Sequence, residues 1–115
     1  MMTTEQVAAR LTELFNQGKA VEAERELYAD GVVSHEQDGR TVKGLEGVIA
    51  KTQQSFGHIA EFRKAEITKT MVNQDSILAV FDVDFTLGNG HVVSGLEYGY
   101  YKVADGKIIE EYFYM

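Results

Sequence analysis

Tyr28 to Gly47 reads YADGVVSHEQDGRTVKGLEG, and this stretch marks the change from helices to sheet. Helical patterns flank it on both sides, and the strong strand patterns all come later. It is rich in turn-forming and ionisable residues, and it places His35 and Glu36 at the end of an extended run that begins with Val32. A chemical site in this protein is therefore expected in this segment.

The segments before and after it predict amphipathic helices. In the first, Thr3 and Gln6 have the spacing of a capping box, and Gly18 is placed to end the helix. Its apolar stripe consists of Val7, Leu11, Leu14 and Phe15. The later helix is predicted from about Gly44 to Phe56. Its inward face, at helical spacing, consists of Leu45, Val48, Ile49, Thr52 and Phe56.

A shorter helix is predicted from Ala20 to Tyr28, with Ala20, Ala23 and Leu27 facing inward. Its other face is expected to be solvated and consists of Glu22, Glu24, Arg25 and Glu26. The pair Asp30-Gly31 is predicted to end this helix, and an extended run follows from Val32 to Glu36.

Strand periodicity begins near residue 60. Residues 60–72 predict an edge-like or bulged strand. From residue 77 to 87 an apolar side chain stands at every second position, namely at Ile77, Ala79, Phe81, Val83, Phe85 and Leu87. Turns at 88–90 and 104–106 predict that the last three strands form an antiparallel meander. The predicted fold is one α+β domain over 1–115, with three N-terminal helices packed on a curved antiparallel sheet. We expect a cone-shaped α+β barrel whose mouth holds a small ligand.

Composition excludes several classes of function. The chain of 115 residues has 18 acidic and 11 basic residues, a formal net charge of −7 and no cysteine. An acidic surface repels phosphate, so neither nucleic acid nor an anionic membrane is an expected partner. Without cysteine there is no disulfide and no thiolate metal site. The N-terminal residues resemble neither a signal peptide nor a membrane span, and we expect a cytoplasmic protein.

The run from Leu27 to Val48 resembles the nuclear transport factor 2-like superfamily, in its SnoaL-like polyketide cyclase and ketosteroid isomerase branch. Members show an aromatic residue, a small residue and an aspartate after the second helix, then an acidic or histidine residue and a glycine that opens the third helix. The matching residues here are Tyr28, Ala29, Asp30, Glu36 and Gly44. Asp105 to Tyr114 is similar to the closing hairpin of the family.

The resemblance implies that Glu36 stands where ketosteroid isomerases carry their carboxylate base. Those enzymes also need a tyrosine and a protonated aspartic acid as oxyanion donors. Leu11 and Gly99 stand at or near these two positions, so steroid isomerisation is not expected. Family cyclases use a histidine and an aspartate, whereas this chain offers His35 and His91 and ends in Tyr112, Phe113, Tyr114 and Met115.

The catalytic candidates are therefore Glu36 first and His35 second. Since neighbours on a strand point to opposite faces, both cannot enter one pocket unless the strand bulges. The expected ligand-binding residues are Tyr98, Tyr112, Phe15, Ile49, Phe56 and Phe85. No metal site is predicted, because His35, His58 and His91 lie in different elements without a metal-binding spacing.

These observations predict a pocket protein for a small hydrophobic molecule, with no cofactor. The preferred activity is that of an isomerase, cyclase or lyase acting by proton transfer on a small apolar carbonyl compound. The alternative is a non-catalytic module that binds a hydrophobic ligand or acts as a dimeric interaction module. A homodimer is expected through the second face of the sheet, which carries Leu78, Val80, Tyr98 and Tyr100.

Overall fold

The computed structural model describes all residues from 1 to 115 and contains three helices and six strands. In chain order these are α1 (Thr4–Asn16), α2 (Ala20–Leu27), β1 (Tyr28–His35), β2 (Thr41–Lys43), α3 (Leu45–Gly57), β3 (Ile59–Asn73), β4 (Ser76–Leu87), β5 (Val92–Ala104) and β6 (Lys107–Tyr114). The strands form one sheet in the order β2-β1-β6-β5-β4-β3. The predicted α+β class is confirmed.

The sheet differs from the predicted one in three respects. β1 and β2 come before α3, so the three helices do not all precede the sheet. β1 also pairs in parallel with β6, whereas every other neighbouring pair is antiparallel. The sheet is therefore mixed. It also remains open with β2 and β3 at its edges, so it does not close into the expected barrel. Because α3 connects those two edge strands, it must cross one face of the sheet.

The boundaries of α1 follow the predicted signals. Thr3 Oγ1 accepts a hydrogen bond from the Gln6 backbone N–H at 3.1 Å, and the Gln6 side chain accepts one from the Thr3 N–H at 2.9 Å. After the helix, Gly18 adopts a φ of +77°, which is favourable only for a residue without a Cβ. The buried residues of the helix are Val7, Ala8, Leu11 and Leu14.

The passage from α2 to β1 is more abrupt than predicted. The helix ends at Leu27 and the strand begins at Tyr28, four residues before the expected extended run. Asp30-Gly31 lies inside the strand, in the region where the pairing of β1 with β6 changes register. The turn-forming pair therefore produces an irregularity in a strand. It does not end the helix, because pairing with β6 already holds Tyr28 in the sheet.

The third helix begins one residue later than predicted. Gly44 is its N-cap at φ +88°, and the Gly44 N–H donates to the Val32 carbonyl at 2.7 Å. This contact fixes the start of α3 against β1. Within the helix, the side chains of Val48 and Ile49 are buried. The segment Tyr28–Gly47 thus brings β1, β2 and the start of α3 together.

Strands β3 to β6 form an antiparallel meander. In β4, alternate residues are buried as predicted, namely Ile77, Ala79, Phe81 and Val83. β3 is an edge strand whose pairing with β4 shifts register at three places, which agrees with the predicted bulged strand. Between β5 and β6, Asp105 and Gly106 both have positive φ, as a tight hairpin turn requires.

The helices cover only one face of the sheet. The core lies between α1, α2, α3 and the inner sheet face, and it includes Leu27, Ile77, Tyr101 and Ile108. The outer face has no covering layer and carries large exposed side chains. None of the three helices has the length and apolar character needed to cross a bilayer. The space between α3 and the inner face is where the fold leaves a cavity.

Candidate functional site

A cavity of about 820 Å³ opens between the helices and the inner face of the sheet. Most of its wall is apolar. Its aromatic lining consists of Phe15 from α1, Tyr28 from β1, Phe56 from α3, Phe81 and Phe85 from β4, Tyr101 from β5 and Phe113 from β6. One side of the cavity is polar and ionisable. A cavity of this size with a small number of convergent polar groups has the character of a small-molecule site.

Lys51 stands at the centre of the polar side. Its Nζ donates to Ser34 Oγ at 2.6 Å and lies 2.8 Å from Glu36 Oε1 and 3.4 Å from Glu111 Oε2. The ammonium also sits 5.1 Å from the centroid of the Phe113 ring. Lys51 is 22 % exposed, so these groups compensate much of its lost hydration. The lysine connects α3 to β1 and β6.

Glu36 follows the last residue of β1. Its backbone N–H donates to the Arg40 carbonyl at 2.9 Å, which closes the hairpin between β1 and β2. Its side chain lines the cavity, and its buried Oε1 lies beside the Lys51 ammonium. Glu36 is therefore an ion-paired carboxylate at the cavity wall.

Glu111 is the most deeply buried carboxyl group of the cavity, at 1 % exposure. The Tyr28 hydroxyl donates a short hydrogen bond to its Oε1, and Lys51 is beside its Oε2. Burial and the proximity of Glu111 raise the pKa of Tyr28 and of neighbouring Tyr101 well above the ordinary value. Both tyrosines are therefore neutral, and Tyr28 serves as a donor to the carboxylate.

Glu24 projects from α2 into the same cavity and is 6 % exposed. Thr52 Oγ1 donates to its Oε2 at 2.6 Å, while its Oε1 is buried without a hydrogen-bond partner. Burial raises the pKa of Glu24 to about 7; Thr52 opposes this rise, and Glu111 adds to it. Burial also raises the pKa of Glu97, which lines the cavity from β5, and Glu36 raises it further.

His35 lies on the other side of the sheet from this network. Its Nε2 is 3.0 Å from Glu110 Oε2, and its ring stacks on Tyr112 with centroids 4.2 Å apart. The Tyr112 hydroxyl donates to the same Glu110 oxygen at 2.7 Å. Hydrogen bonds from Tyr112 and His35 lower the pKa of Glu110. Of the two catalytic candidates, only Glu36 lines the main cavity, while both border a smaller hollow beside Tyr112.

The ligand-binding candidates also divide between two locations. Phe15, Phe56 and Phe85 line the main cavity. Ile49 does not line it, because this side chain turns into the core and is 2 % exposed. Tyr98 and Tyr112 lie on the outer face, where Tyr98 is 38 % exposed and Tyr112 borders a second hollow of about 420 Å³. Phe113, the neighbour of Tyr112, borders the second hollow and also lines the main cavity.

Sequence reasoning missed most of the polar side of the cavity. The expectation that Glu24 belongs to a solvated helix face is wrong, since Glu24 is buried. Its spacing of four residues from Ala20 and three from Leu27 carried the signal for an inward position. Lys51 likewise follows Val48 by three residues. The remaining missed groups are Tyr28, Ser34, Glu97 and Glu111, whereas Thr52 lies on the face of α3 that was expected to point inward.

No three His, Cys, Asp or Glu side chains are grouped in a way that could hold a metal ion. The chemistry that the cavity can perform with its own groups is proton transfer and charge stabilisation. Glu36 offers a carboxylate base, Lys51 a cation, and Glu24 a carboxyl group that changes its protonation near neutral pH.

Comparisons with known proteins place this geometry in a family. The sequence model of the SnoaL-like domain family matches residues 2–115 of this chain. The crystal structure of a candidate SnoaL-like polyketide cyclase from Mesorhizobium loti is 32% identical and superposes with a TM-score of 0.91, covering 99% of this chain and 100% of that one. A search of curated proteins finds no match.

Two more distant structures share the fold. A candidate SnoaL-like polyketide cyclase from Jannaschia sp. CCS1 is 18% identical, with a TM-score of 0.81 over 96% of this chain and 83% of that chain. An NTF2-like protein from Burkholderia pseudomallei K96243 is 19% identical, with a TM-score of 0.82 over 100% of this chain and 92% of that chain. At these identities the likeness concerns the fold.

Proposed function

This chain belongs to the SnoaL-like domain family, and we propose that it is a cofactor-free enzyme that transfers a proton on a small apolar carbonyl compound held in the main cavity. One observation carries this proposal. Glu36 and Lys51 place a carboxylate and an ammonium 2.8 Å apart on the polar side of a cavity whose wall is otherwise largely apolar. The likeness to the Mesorhizobium loti protein over the whole chain supports the choice of a carbonyl substrate.

Glu36 is the base in this proposal. Its carboxylate lines the cavity and can take a proton from the carbon next to the substrate carbonyl. The electrons of the broken C–H bond move into the carbon–carbon bond of an enolate, and the negative charge rests on the carbonyl oxygen. Where a carbon–carbon double bond of the substrate extends the enolate, return of the proton from Glu36 to the far carbon completes an isomerisation. Attack of the enolate on a second carbonyl of the same molecule would instead close a ring, and the alkoxide formed would take the proton from Glu36.

Lys51 stabilises the enolate oxygen. A lysine ammonium has three N–H donors, and the contact with Glu111 at 3.4 Å is the longest of its three polar contacts. A carbonyl oxygen can replace that contact while Ser34 and Glu36 continue to hold the ammonium. Leu11 and Gly99 carry no oxyanion donors, so Lys51 supplies the charge stabilisation that two other donors provide in ketosteroid isomerases.

Deuterium uptake tests the base directly, without knowledge of the natural substrate. The probe is a panel of aryl ketones such as 4-phenyl-2-butanone in D₂O, with α-proton exchange followed by NMR. Glu36→Gln should lower the enzyme-dependent exchange rate by about 10²–10⁴, and Lys51→Met should lower it by about 10²–10³. Circular dichroism checks that each variant is folded.

Glu110→Gln is the matched control, because Glu110 is a neighbouring carboxylate on the outer face of the sheet. This variant should exchange α-protons at the wild-type rate. The assignment is contradicted if Glu36→Gln retains full exchange, or if His35→Ala abolishes exchange while Glu36→Gln does not.

A non-catalytic ligand-binding role is the second candidate. The observation that favours it is that Lys51 already has three polar partners in the cavity, two of which are carboxylates. A neutral apolar ligand could then bind without disturbing the ion pair. In that case the aryl ketones bind, as seen by chemical-shift changes, and no α-proton exchange above the buffer rate is observed.

We further propose that the protein forms a homodimer through the outer face of the sheet. Cross-strand rows on this face join Val80, Tyr98 and Tyr114, and the adjacent row joins Leu78 and Tyr100. Tyr98 and Tyr114 are 38 % and 52 % exposed, and an extended apolar surface of this kind is typical of an interface. Sedimentation at micromolar concentration should give the mass of a dimer, and Tyr98→Lys should shift it to that of a monomer.

A further inference from the structure

The inner end of the cavity contains a carboxyl oxygen without a partner. Glu24 Oε1 is buried and accepts no hydrogen bond, although the other oxygen of the same group is held by Thr52. Buried polar atoms in folded proteins nearly always have a partner. Since Glu24 lines the cavity and is 6 % exposed, a bound molecule is positioned to supply that partner.

The charges of the lining groups indicate which kind of partner fits. The cavity is lined by four carboxyl groups, those of Glu24, Glu36, Glu97 and Glu111. Among the cations, Lys51 is already shared by two of these carboxyls, while the Arg40 side chain is 79 % exposed at the mouth and paired with Asp38. The cavity therefore has more acidic groups than cations to neutralise them, and this excess extends to its buried end.

We propose that the inner end of the cavity binds an amino group, so that the otherwise apolar ligand carries a protonated nitrogen that contacts Glu24 Oε1. This proposal rests on the cavity being a ligand site, as in the proposed function, and does not depend on proton transfer by Glu36. An ammonium supplies both a donor to the free oxygen and the positive charge that the lining lacks. A ligand carboxylate at this end would be repelled, and a neutral hydroxyl would leave the charge excess unchanged.

Binding of an ammonium should depend on the protonation of Glu24. In the empty cavity burial raises the pKa of Glu24 to about 7, so the group is largely protonated below neutral pH. The amine must displace that proton, and its affinity should therefore increase as the pH rises through 7. The other titratable groups that surround Glu24 in the cavity are Tyr28, Glu36, Lys51, Glu97, Tyr101 and Glu111.

The test compares two probes that differ mainly in charge. Binding of 3-phenylpropylamine and of 3-phenylpropan-1-ol is measured by NMR titration at pH 6 and pH 8 with the wild-type protein. The amine should bind about tenfold or more tightly than the alcohol at pH 8, and this preference should be smaller at pH 6. The alcohol should bind equally at both values.

Glu24→Gln keeps the size of the side chain and an acceptor for Thr52, but it removes the charge. It should abolish both the preference for the amine and its pH dependence, while affinity for the alcohol is retained. The matched control is Glu22→Gln, an exposed position on the same helix, which should behave as wild type.

The failures of the two proposals can be distinguished. If the wild-type protein binds the alcohol as tightly as the amine at pH 8, the amine site is refuted and the cavity remains a ligand site. If Glu24→Gln retains the preference for the amine, the site is not at Glu24 and the proposal is refuted. If neither probe binds, the amine site is refuted, and the deuterium-exchange experiment then decides separately whether the cavity acts on ketones.

Discussion

The strongest prediction for the free protein concerns the pH dependence of its stability and the residue that causes it. Glu24 is 6 % exposed, and burial raises its pKa from 4.5 to about 7. A carboxyl group whose pKa is higher in the folded chain takes up protons on folding. Its contribution to stability is therefore fully present below pH 4.5 and is lost as the pH rises to about 7. Glu24→Gln removes this contribution without removing the acceptor for Thr52.

The expected magnitude follows from the two pKa values. They differ by about 2.5 pH units, and each unit corresponds to about 1.36 kcal/mol, which gives an upper value of about 3 kcal/mol. Between pH 5 and pH 8 the free energy of unfolding of Glu24→Gln should therefore increase relative to that of wild type by up to about 2.5 kcal/mol, because part of the change occurs below pH 5. At pH 8 the wild type must keep a buried carboxylate ionised, whereas the glutamine is neutral at every pH.

Urea denaturation followed by circular dichroism at several pH values between 5 and 8 measures this difference. Comparison with the variant removes the contributions of other titrating groups, provided that both proteins have the same m-value. Glu22→Gln is the control, because Glu22 is exposed on the same helix and should give a difference that does not change with pH. A constant difference for Glu24→Gln over this range would refute the burial argument.

Two further predictions concern packing around the same site and are measured by urea denaturation at one pH. Gly99→Ala should destabilise the fold by about 1–3 kcal/mol, because a Cβ there would lie 2.9 Å from the Phe81 ring. Gly57→Ala is the control and should not destabilise the fold, because nothing lies within 4 Å of a Cβ at this position. Tyr28→Phe should cost about 1–3 kcal/mol, because Glu111 Oε1 would lose its donor. An unchanged stability in either variant would contradict the corresponding contact.

The sequence was sufficient for the elements whose signals are local. The capping residues of α1 are three positions apart, and the alternation in β4 lies within a single strand. The parallel pairing of β1 with β6 joins Tyr28 to Ile108, which are far apart in the chain. No local pattern specifies such a pairing, and it decides that β1 begins at Tyr28. The sheet was therefore predicted as antiparallel, although its central parallel pair holds the site together.

The site was predicted less completely because burial of ionisable residues contradicts their usual preference. Glu24 has helical spacing to Ala20 and Leu27, but glutamate on a helix is usually exposed, and this preference outweighed the spacing. Lys51 reaches Ser34 and Glu36 through a long side chain, which periodicity cannot describe. A place for Glu36 at the cavity could be expected, since its position relative to Tyr28 matches a family pattern, and its side chain does line the cavity.

A bulge explains why Glu111 could not be predicted from alternation. Starting from buried Ile108, strict alternation would point Glu110 inward and Glu111 outward. In the structure Ile108 opposes Val103 while Glu110 opposes Lys102, so one extra residue is inserted in β6 between these pairs. The inserted residue reverses the faces that follow it.

This single insertion determines the polar groups on both sides of the sheet. Glu111 is turned inward, where it accepts from Tyr28 and lies beside Lys51. Glu110 is turned outward, where it contacts His35. Without the bulge, Lys51 would lose one of its two carboxylate partners, and the cavity would lose its most deeply buried acid. The chemistry proposed for the cavity therefore depends on the register of β6 as much as on the identity of the residues that line it.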